Sequence, residues 1–357
     1  MTTVRGNDTF SRTSEPTRDR ILYITFDGVL EPLGRSQVLS YLLGLSRRGF
    51  RFTLISLERE RDLSDNFRVA ELTRELEDYG VKWVRCSFHT GGVGGVLKNF
   101  LLALRAARLA VRQDRIALVH SRSYVPALIG WVLNRFRGIR YLFDMRGYWI
   151  DELADEGRWF RSRTAYKIGK RIELSLLKDS AAIVTLTQLQ ARDLREGELK
   201  HLPNKPIVTI TTCADYEEFR PQGTLSGVVP EEIRGRLQGK LVVGLVGSIN
   251  ASYCIPESLS LFGFLLKERP DAHLLCLTRQ LHEMEDLLRA YEFPEGAYTL
   301  AAVPHQQIAE WLRRMDWALL LLNTRFSKRG SMPTKLAEFF SSGVLPIQYC
   351  CNDEVSE

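Results

Sequence analysis

Most of the signatures that make a chain's chemistry easy to assign are missing here. Only six of the 357 residues are cysteines: Cys86, Cys213, Cys254, Cys276, Cys350 and Cys351. No pair has CxxC spacing, so zinc ligation and dithiol redox chemistry have no framework. Several lie in apolar runs, such as His273-Leu274-Leu275-Cys276-Leu277, and read as reduced core residues of a cytosolic protein. No apolar stretch is long enough to span a bilayer. The opening residues are polar and mixed in charge, without the apolar core of a signal peptide, and read as a disordered tail over 1–19. There is no Asp-x-Asp motif, no zinc finger and no aromatic RNA-binding signature, so nucleic acid is not expected as a partner. The glycine-rich run Gly91-Gly92-Val93-Gly94-Gly95 lacks the downstream acidic residue of a dinucleotide site, and reads as a flexible loop.

What is present is ordinary for a globular protein: 45% hydrophobic and 26% charged residues, enough for a large core. The formal charge of +6 favours an anionic partner, a nucleotide or a phospholipid surface. Strand-like and helix-like runs alternate throughout. Ile21–Phe26, Phe52–Leu57, Val81–Cys86, Ile116–His120, Arg140–Phe143 and Ala181–Leu186 read as buried strands. Helical spacing between them predicts helices such as Gln37–Arg48, Leu63–Tyr79, Val96–Arg112 and Val125–Arg135. Such alternation predicts an α/β chain with parallel sheets covered on both faces. The pattern restarts at Leu241–Ser248, after a Gly- and Pro-rich stretch. We therefore expect a first Rossmann-like domain over 20–205, a crossover over 206–240 and a second Rossmann-like domain over 241–357. The second reads as incomplete, because the chain stops soon after a strand.

Five segments carry the chemistry. The most telling is Ser331-Met332-Pro333-Thr334-Lys335-Leu336-Ala337-Glu338, followed by Gly343 and the strand-like Val344–Ile347. A polar turn into a helix presents free backbone N–H groups that suit a phosphate. Glu338, about one turn further on, suits a ribose diol. The others are Asp27–Gln37, Val119–Tyr124, Phe143–Trp149 and Thr209–Pro221. Together, and in this order, they resemble the retaining glycosyltransferases of family 4. That resemblance covers roughly 20–350 and implies the GT-B fold, two doubly wound domains facing across a cleft. It also implies a nucleotide-sugar donor, no metal and no cofactor. Two departures stand out. The first of two glutamates that many members carry, eight apart, would fall on Gly330. The Arg and Lys expected after the first strand of the second domain are absent from Gly247–Cys254. In this the chain resembles a bacterial subgroup that lacks those cations but keeps the arginine-bearing motifs of the first half.

Transfer from a nucleotide sugar requires neutralising a leaving diphosphate, shielding an oxocarbenium-like centre and taking a proton from the acceptor hydroxyl. Candidates at strand ends are Arg122 and Arg146 as cations, with His120, Asp144 and Asp27 as groups for a proton or a sugar hydroxyl. His120 is open to a second reading, as a packed, hydrogen-bonded residue. The resemblance implies a donor site formed by Gly34, Arg35, Gly247, Ser248, Ser331, Pro333, Thr334, Lys335 and Glu338. Arg325, Lys328 and Arg329 are candidates to replace the missing pair, or a solvated loop. The basic, aromatic segment Arg158–Arg171 predicts either docking on an anionic membrane or a helix that covers the sheet with snorkelling cations. The expected activity is a hexosyltransferase acting on a saccharide or lipid-linked acceptor for bacterial surface polysaccharide or glycolipid. Its expected place is the cytoplasm, peripheral on the inner face of the plasma membrane. A catalytically inactive nucleotide- or protein-binding module and a sugar-nucleotide epimerase stand as alternatives.

Overall fold

The computed structural model describes residues 19–155, 163–222, 227–250 and 252–349. Its central strands are largely buried. Every residue of Phe52–Glu58 and of Ala272–Leu277 is buried, as expected where helices cover both faces of a parallel sheet.

Seven strands form the first sheet: β1 (Arg20–Thr25), β2 (Phe52–Glu58), β3 (Lys82–Ser87), β4 (Ile116–Arg122), β5 (Arg140–Asp144), β6 (Ala182–Thr185) and β7 (Ile207–Thr209). They run parallel in the order β3-β2-β1-β4-β5-β6-β7. Strand β7 lies inside the segment expected as crossover. At three residues it is too short to show a period, and only its pairing with β6 identifies it. The second sheet comprises β8 (Leu241–Val246), β9 (Ala272–Leu277), β10 (Tyr298–Ala301), β11 (Trp317–Leu321) and β12 (Leu345–Tyr349), parallel in the order β10-β9-β8-β11-β12.

Helices pack in two layers on the first sheet. Leu42, Leu72 and Leu76 join one core with Tyr23, Phe52 and Leu54. On the other face, residues of the helices Gly92–Gln113, Tyr124–Arg137, Arg163–Asp179 and Gln188–Glu196 surround Leu22, Ile24, Val119 and Phe143. Each fully buried Leu or Phe stabilises by roughly 1.5–3 kcal/mol, which sets which face each helix presents. In both sheets the connection reverses direction beside the first strand, between β1 and β4 and between β8 and β11. Open α/β sheets bind ligands outside the carboxyl ends of strands at such points. Among the described residues, no helix is long and apolar enough to cross a membrane.

Candidate functional site

The carboxyl ends of β1, β4 and β5 converge on one buried carboxylate. Asp144, the last residue of β5, is 5% exposed. Its Oδ2 lies 3.4 Å from His120 Nε2 and 3.9 Å from Arg122 Nη1. Burial pushes this carboxyl up, but His120, Arg146 and Arg122 outweigh burial and hold it below its ordinary value. Asp144 therefore stays ionised at neutral pH. Its Oδ1 is buried without a hydrogen-bond partner among the described residues. An unmatched acceptor of this kind costs about 1–3 kcal/mol, which a ligand hydroxyl recovers.

The groups around it are fixed. His120 packs against the Tyr23 ring at 4.4 Å and meets the Tyr41 ring edge-on at 5.9 Å. Arg122 is itself buried, and its Nε donates to Asp27 Oδ2 at 2.9 Å. Arg146 Nη2 donates to Gln37 Oε1 at 3.1 Å. Two residues just past these strand ends, Ser123 (φ 73°) and Arg146 (φ 59°), hold left-handed backbone. For a residue with a side chain this costs about 1–3 kcal/mol, and such strain clusters at ligand sites. The loop opposite is held by Glu58, whose carboxylate accepts from the backbone N–H of Val29 at 2.9 Å and of Leu30 at 3.1 Å. Beyond it, Arg35–Leu39 forms a π-helical turn, which sets Arg35, Ser36 and Gln37 along the cleft.

The second domain supplies the other wall. The helix Thr334–Ser342 begins at Pro333 without a side-chain cap; Leu336 N–H turns back to the Pro333 carbonyl at 3.1 Å, which leaves the N–H groups of Thr334 and Lys335 with no partner inside the helix. Thr334 and Glu338 face the Asp144 cluster across a cleft of about 530 Å3. Glu338 is 8% exposed. Burial raises its carboxyl, with Glu218 adding and His305 and Lys335 opposing. The Lys335 ammonium donates to the Val246 carbonyl at 2.6 Å and sits 3.8 Å from the Tyr253 ring centre. Burial lowers it to about 8, against a partial pull upward from Glu338. It lies directly behind Gly247 (φ 118°), where an added Cβ would come within 2.3 Å of the ammonium. A second cavity of about 320 Å3, lined by Gly247, Ser248, Arg279 and Gln280, joins the cleft at Pro32, His305 and Glu338. Gln280 steadies its floor by accepting from Ile249 N–H at 2.7 Å.

The structure brings together His120, Arg122, Asp144, Arg146, Arg35, Thr334 and Glu338 in one cleft, with Gly247 and Ser248 in the adjoining cavity. Other candidates fall elsewhere. Gly34 does not line the cleft; a Cβ there would stand 2.0 Å from the Gly28 carbonyl, so its part is close backbone packing. Ser331 and Pro333 shape the turn before the helix, Ser331 N–H donating to Lys328 O at 3.0 Å. Arg325, Lys328 and Arg329 each bond to a residue of the first domain. Arg329 makes a two-pronged pair with Asp193 at 2.9 and 2.8 Å, Lys328 reaches Glu152 at 3.2 Å, and Arg325 donates to the Asp155 carbonyl. They clasp the second domain to the first. The clasp also accounts for Gly330, where a side chain would meet Gln190 at 2.9 Å and the Tyr148 ring at 3.1 Å, so a glutamate has no room.

One further expectation is corrected. The run Gly91–Gly95 is no flexible loop: Gly92 onward forms the first turn of the helix Gly92–Gln113, and a Cβ on Gly95 would lie 2.8 Å from the Thr90 carbonyl. Of the basic segment Arg158–Arg171, residues 158–162 lie outside the described residues. In the described part, Lys170 is bound by Asp151 at 3.1 Å and by the buried Glu173. Sequence reasoning passed over Tyr23, Glu58 and His305, and did not single out Gln37 and Glu218 within the segments Asp27–Gln37 and Thr209–Pro221. Tyr23, Glu58 and His305 belong to no motif, and each reaches the site through a fold contact.

Two Rossmann-like domains facing across such a cleft define the GT-B class. Residues 34–212, half of the chain, match the profile of the family described as "Glycosyl transferase 4-like domain", and the chain belongs to that family. It is a glycosyltransferase of the GT-B fold. No curated protein sequence matches it. Among solved structures it is similar to sucrose-phosphate synthase from Thermosynechococcus elongatus, at TM-score 0.69 and 11% identity over 94% of this chain and 82% of that one. It is also similar to Anabaena HepE in complex with UDP-glucose, at TM-score 0.63 and 10% identity over 92% and 80%. A third is α,α-trehalose 6-phosphate synthase from Burkholderia multivorans, at TM-score 0.63 and 11% identity over 93% and 84%. At these identities the likeness is one of fold.

Proposed function

We propose that this chain is a retaining glycosyltransferase that moves a hexose from a nucleotide sugar to a saccharide or lipid-linked acceptor, in the synthesis of bacterial surface polysaccharide or glycolipid. One observation carries the reading: a charged, partly unsatisfied carboxylate, Asp144, faces an open helix N-terminus and Glu338 across a single cleft. The donor's base takes the cavity beside Ser248 and Arg279, its ribose diol donates to Glu338, and its diphosphate meets the first N–H groups of the Thr334–Ser342 helix. Lys335 adds positive charge behind Gly247. The likeness to a protein solved with UDP-glucose supports a uridine donor.

On the opposite wall Asp144 accepts from a sugar hydroxyl through Oδ1, while Arg122 and Arg146 hold negative charge. In the transfer, the bond from the anomeric carbon to the phosphate oxygen breaks and its electron pair leaves with the diphosphate. The acceptor oxygen bonds to the same carbon, and its proton passes to the departing diphosphate. The chain's residues stabilise this charge separation, and we assign no protein nucleophile. Lipid-linked acceptors would place the protein on the inner face of the plasma membrane. A thermal-shift screen of UDP-, GDP-, ADP- and CMP-sugars tests donor binding. A ligand at about 100 times its dissociation constant adds roughly 2.7 kcal/mol of stability. Binding with no transfer to any acceptor would leave a binding-only module, and donor interconversion without an acceptor would indicate an epimerase.

A further inference from the structure

The helix Gly92–Gln113 carries a surface that glycosyl transfer in the cleft does not use. Its inner face is spent on the core through Ala103, Leu104, Ala107 and Ala110. Its outer face is apolar where a soluble helix would be polar: Val93 is 67% exposed, Leu97 56% and Leu101 53%. These stand four apart and form one stripe, which Arg105 continues toward the other end. Lys98, Arg105, Arg108 and Arg112 are exposed, and none of the helix's 22 residues is acidic. At 1.5 Å per residue the helix is about 33 Å long.

We propose that this face docks the protein on an anionic lipid bilayer. Apolar side chains beside cations are what the acyl boundary and anionic headgroups accept together. A second copy of the chain fits worse. A two-fold pair meeting on this face would bring two cationic faces together, with no carboxylate on the helix to answer them. The start of the helix also marks where a lipid would lead. Gly92 and Val96 share a cavity of about 400 Å3 with Asp27, Arg122 and Trp149. Arg122 lines the donor cleft as well, so a single side chain stands between this cavity and the reaction site. Asn99 holds the entrance, accepting from His89 N–H at 2.8 Å and donating to His89 O at 2.9 Å. The cavity's use as an acceptor channel rests on the glycosyltransferase reading above; the docking does not.

Sedimentation with phosphatidylglycerol–phosphatidylcholine vesicles, without any sugar nucleotide, tests the docking alone. The wild type pellets at low salt and is released by high salt or by pure phosphatidylcholine. Each cation near the surface is worth about fivefold in binding. Arg105→Glu/Arg108→Glu therefore binds at least about 25-fold more weakly, and Leu97→Gln/Leu101→Gln also stays in the supernatant. Circular-dichroism melting confirms that both variants fold; should either unfold, the salt and lipid dependence of the wild type still decides. Lys167→Glu/Arg171→Glu, on the neighbouring basic helix, pellets like the wild type. The proposal is overturned if the wild type stays in the supernatant, if both variants of the helix pellet as it does, or if the Lys167/Arg171 variant alone is released. It is equally overturned if the wild type is a dimer that Leu97→Gln/Leu101→Gln dissociates. Transfer to a water-soluble acceptor, measured separately, reads the catalytic proposal.

Discussion

Lys335 makes the donor reading testable by pH. Burial lowers its ammonium from 10.5 to about 8, so it is charged at pH 7 and neutral well above pH 8. At about 1.4 kcal/mol per unit, that difference bounds the cost of charging this group in the empty protein at about 3 kcal/mol. A charge-assisted contact from the ammonium to a diphosphate is worth about 1.5–3 kcal/mol, roughly tenfold or more in affinity. A diphosphate seated near Gly247 stabilises the charged form. Donor affinity should then be flat below pH 8 and fall by about tenfold on going to pH 9.5. The sign for stability is opposite. A lowered lysine costs stability below its folded value, and that cost fades as pH rises from about 8 to 10.5. Rising pH should thus weaken the donor while this group's burden on the fold is relieved. Isothermal titration of the best nucleotide sugar at pH 7 and pH 9.5, for the wild type and Lys335→Met, gives both numbers. The Met variant should bind about tenfold more weakly at pH 7 and lose this pH dependence. Equal affinity at both pH values in the wild type, matched by Lys335→Met, would refute the role of the ammonium.

Glu338→Ala should weaken nucleotide binding by about 1–3 kcal/mol through the lost charge-assisted hydrogen bond, and an unchanged dissociation constant in a folded variant would remove it from the donor site. Arg146→Lys should keep the fold yet lose kcat with little change in donor affinity, since an ammonium cannot copy a two-pronged contact; near wild-type turnover would assign Arg146 to its Gln37 contact and move attention to Arg122. Gly330→Glu should cost about 1–3 kcal/mol by overpacking against Gln190 and Tyr148, and a rise in turnover without loss of melting temperature would overturn the account of the clasp.

The two sheets were legible in the sequence because buried parallel strands read as continuous apolar runs, and glycines such as Gly343 (φ 77°) mark helix ends where a left-handed residue is required. The Thr334–Glu338 turn was equally legible, since its geometry is local. What could not be read locally was pairing across distance. Arg329 and Asp193 lie 136 residues apart and Lys328 and Glu152 176 apart, so three cations resembled a phosphate site or a solvated loop until the domains were brought together. The glycine run before Val96 looked mobile because glycine has no packing preference of its own; in the fold it opens a helix, with the Thr90 backbone packed too closely against Gly95 for a side chain. The Asp144 cluster shows the division most clearly. Its residue types and strand-end positions were determined by sequence. Only the order β1-β4-β5, which sets parallel strand ends side by side, decided that His120, Arg122 and Arg146 would surround one carboxylate and lower it despite burial.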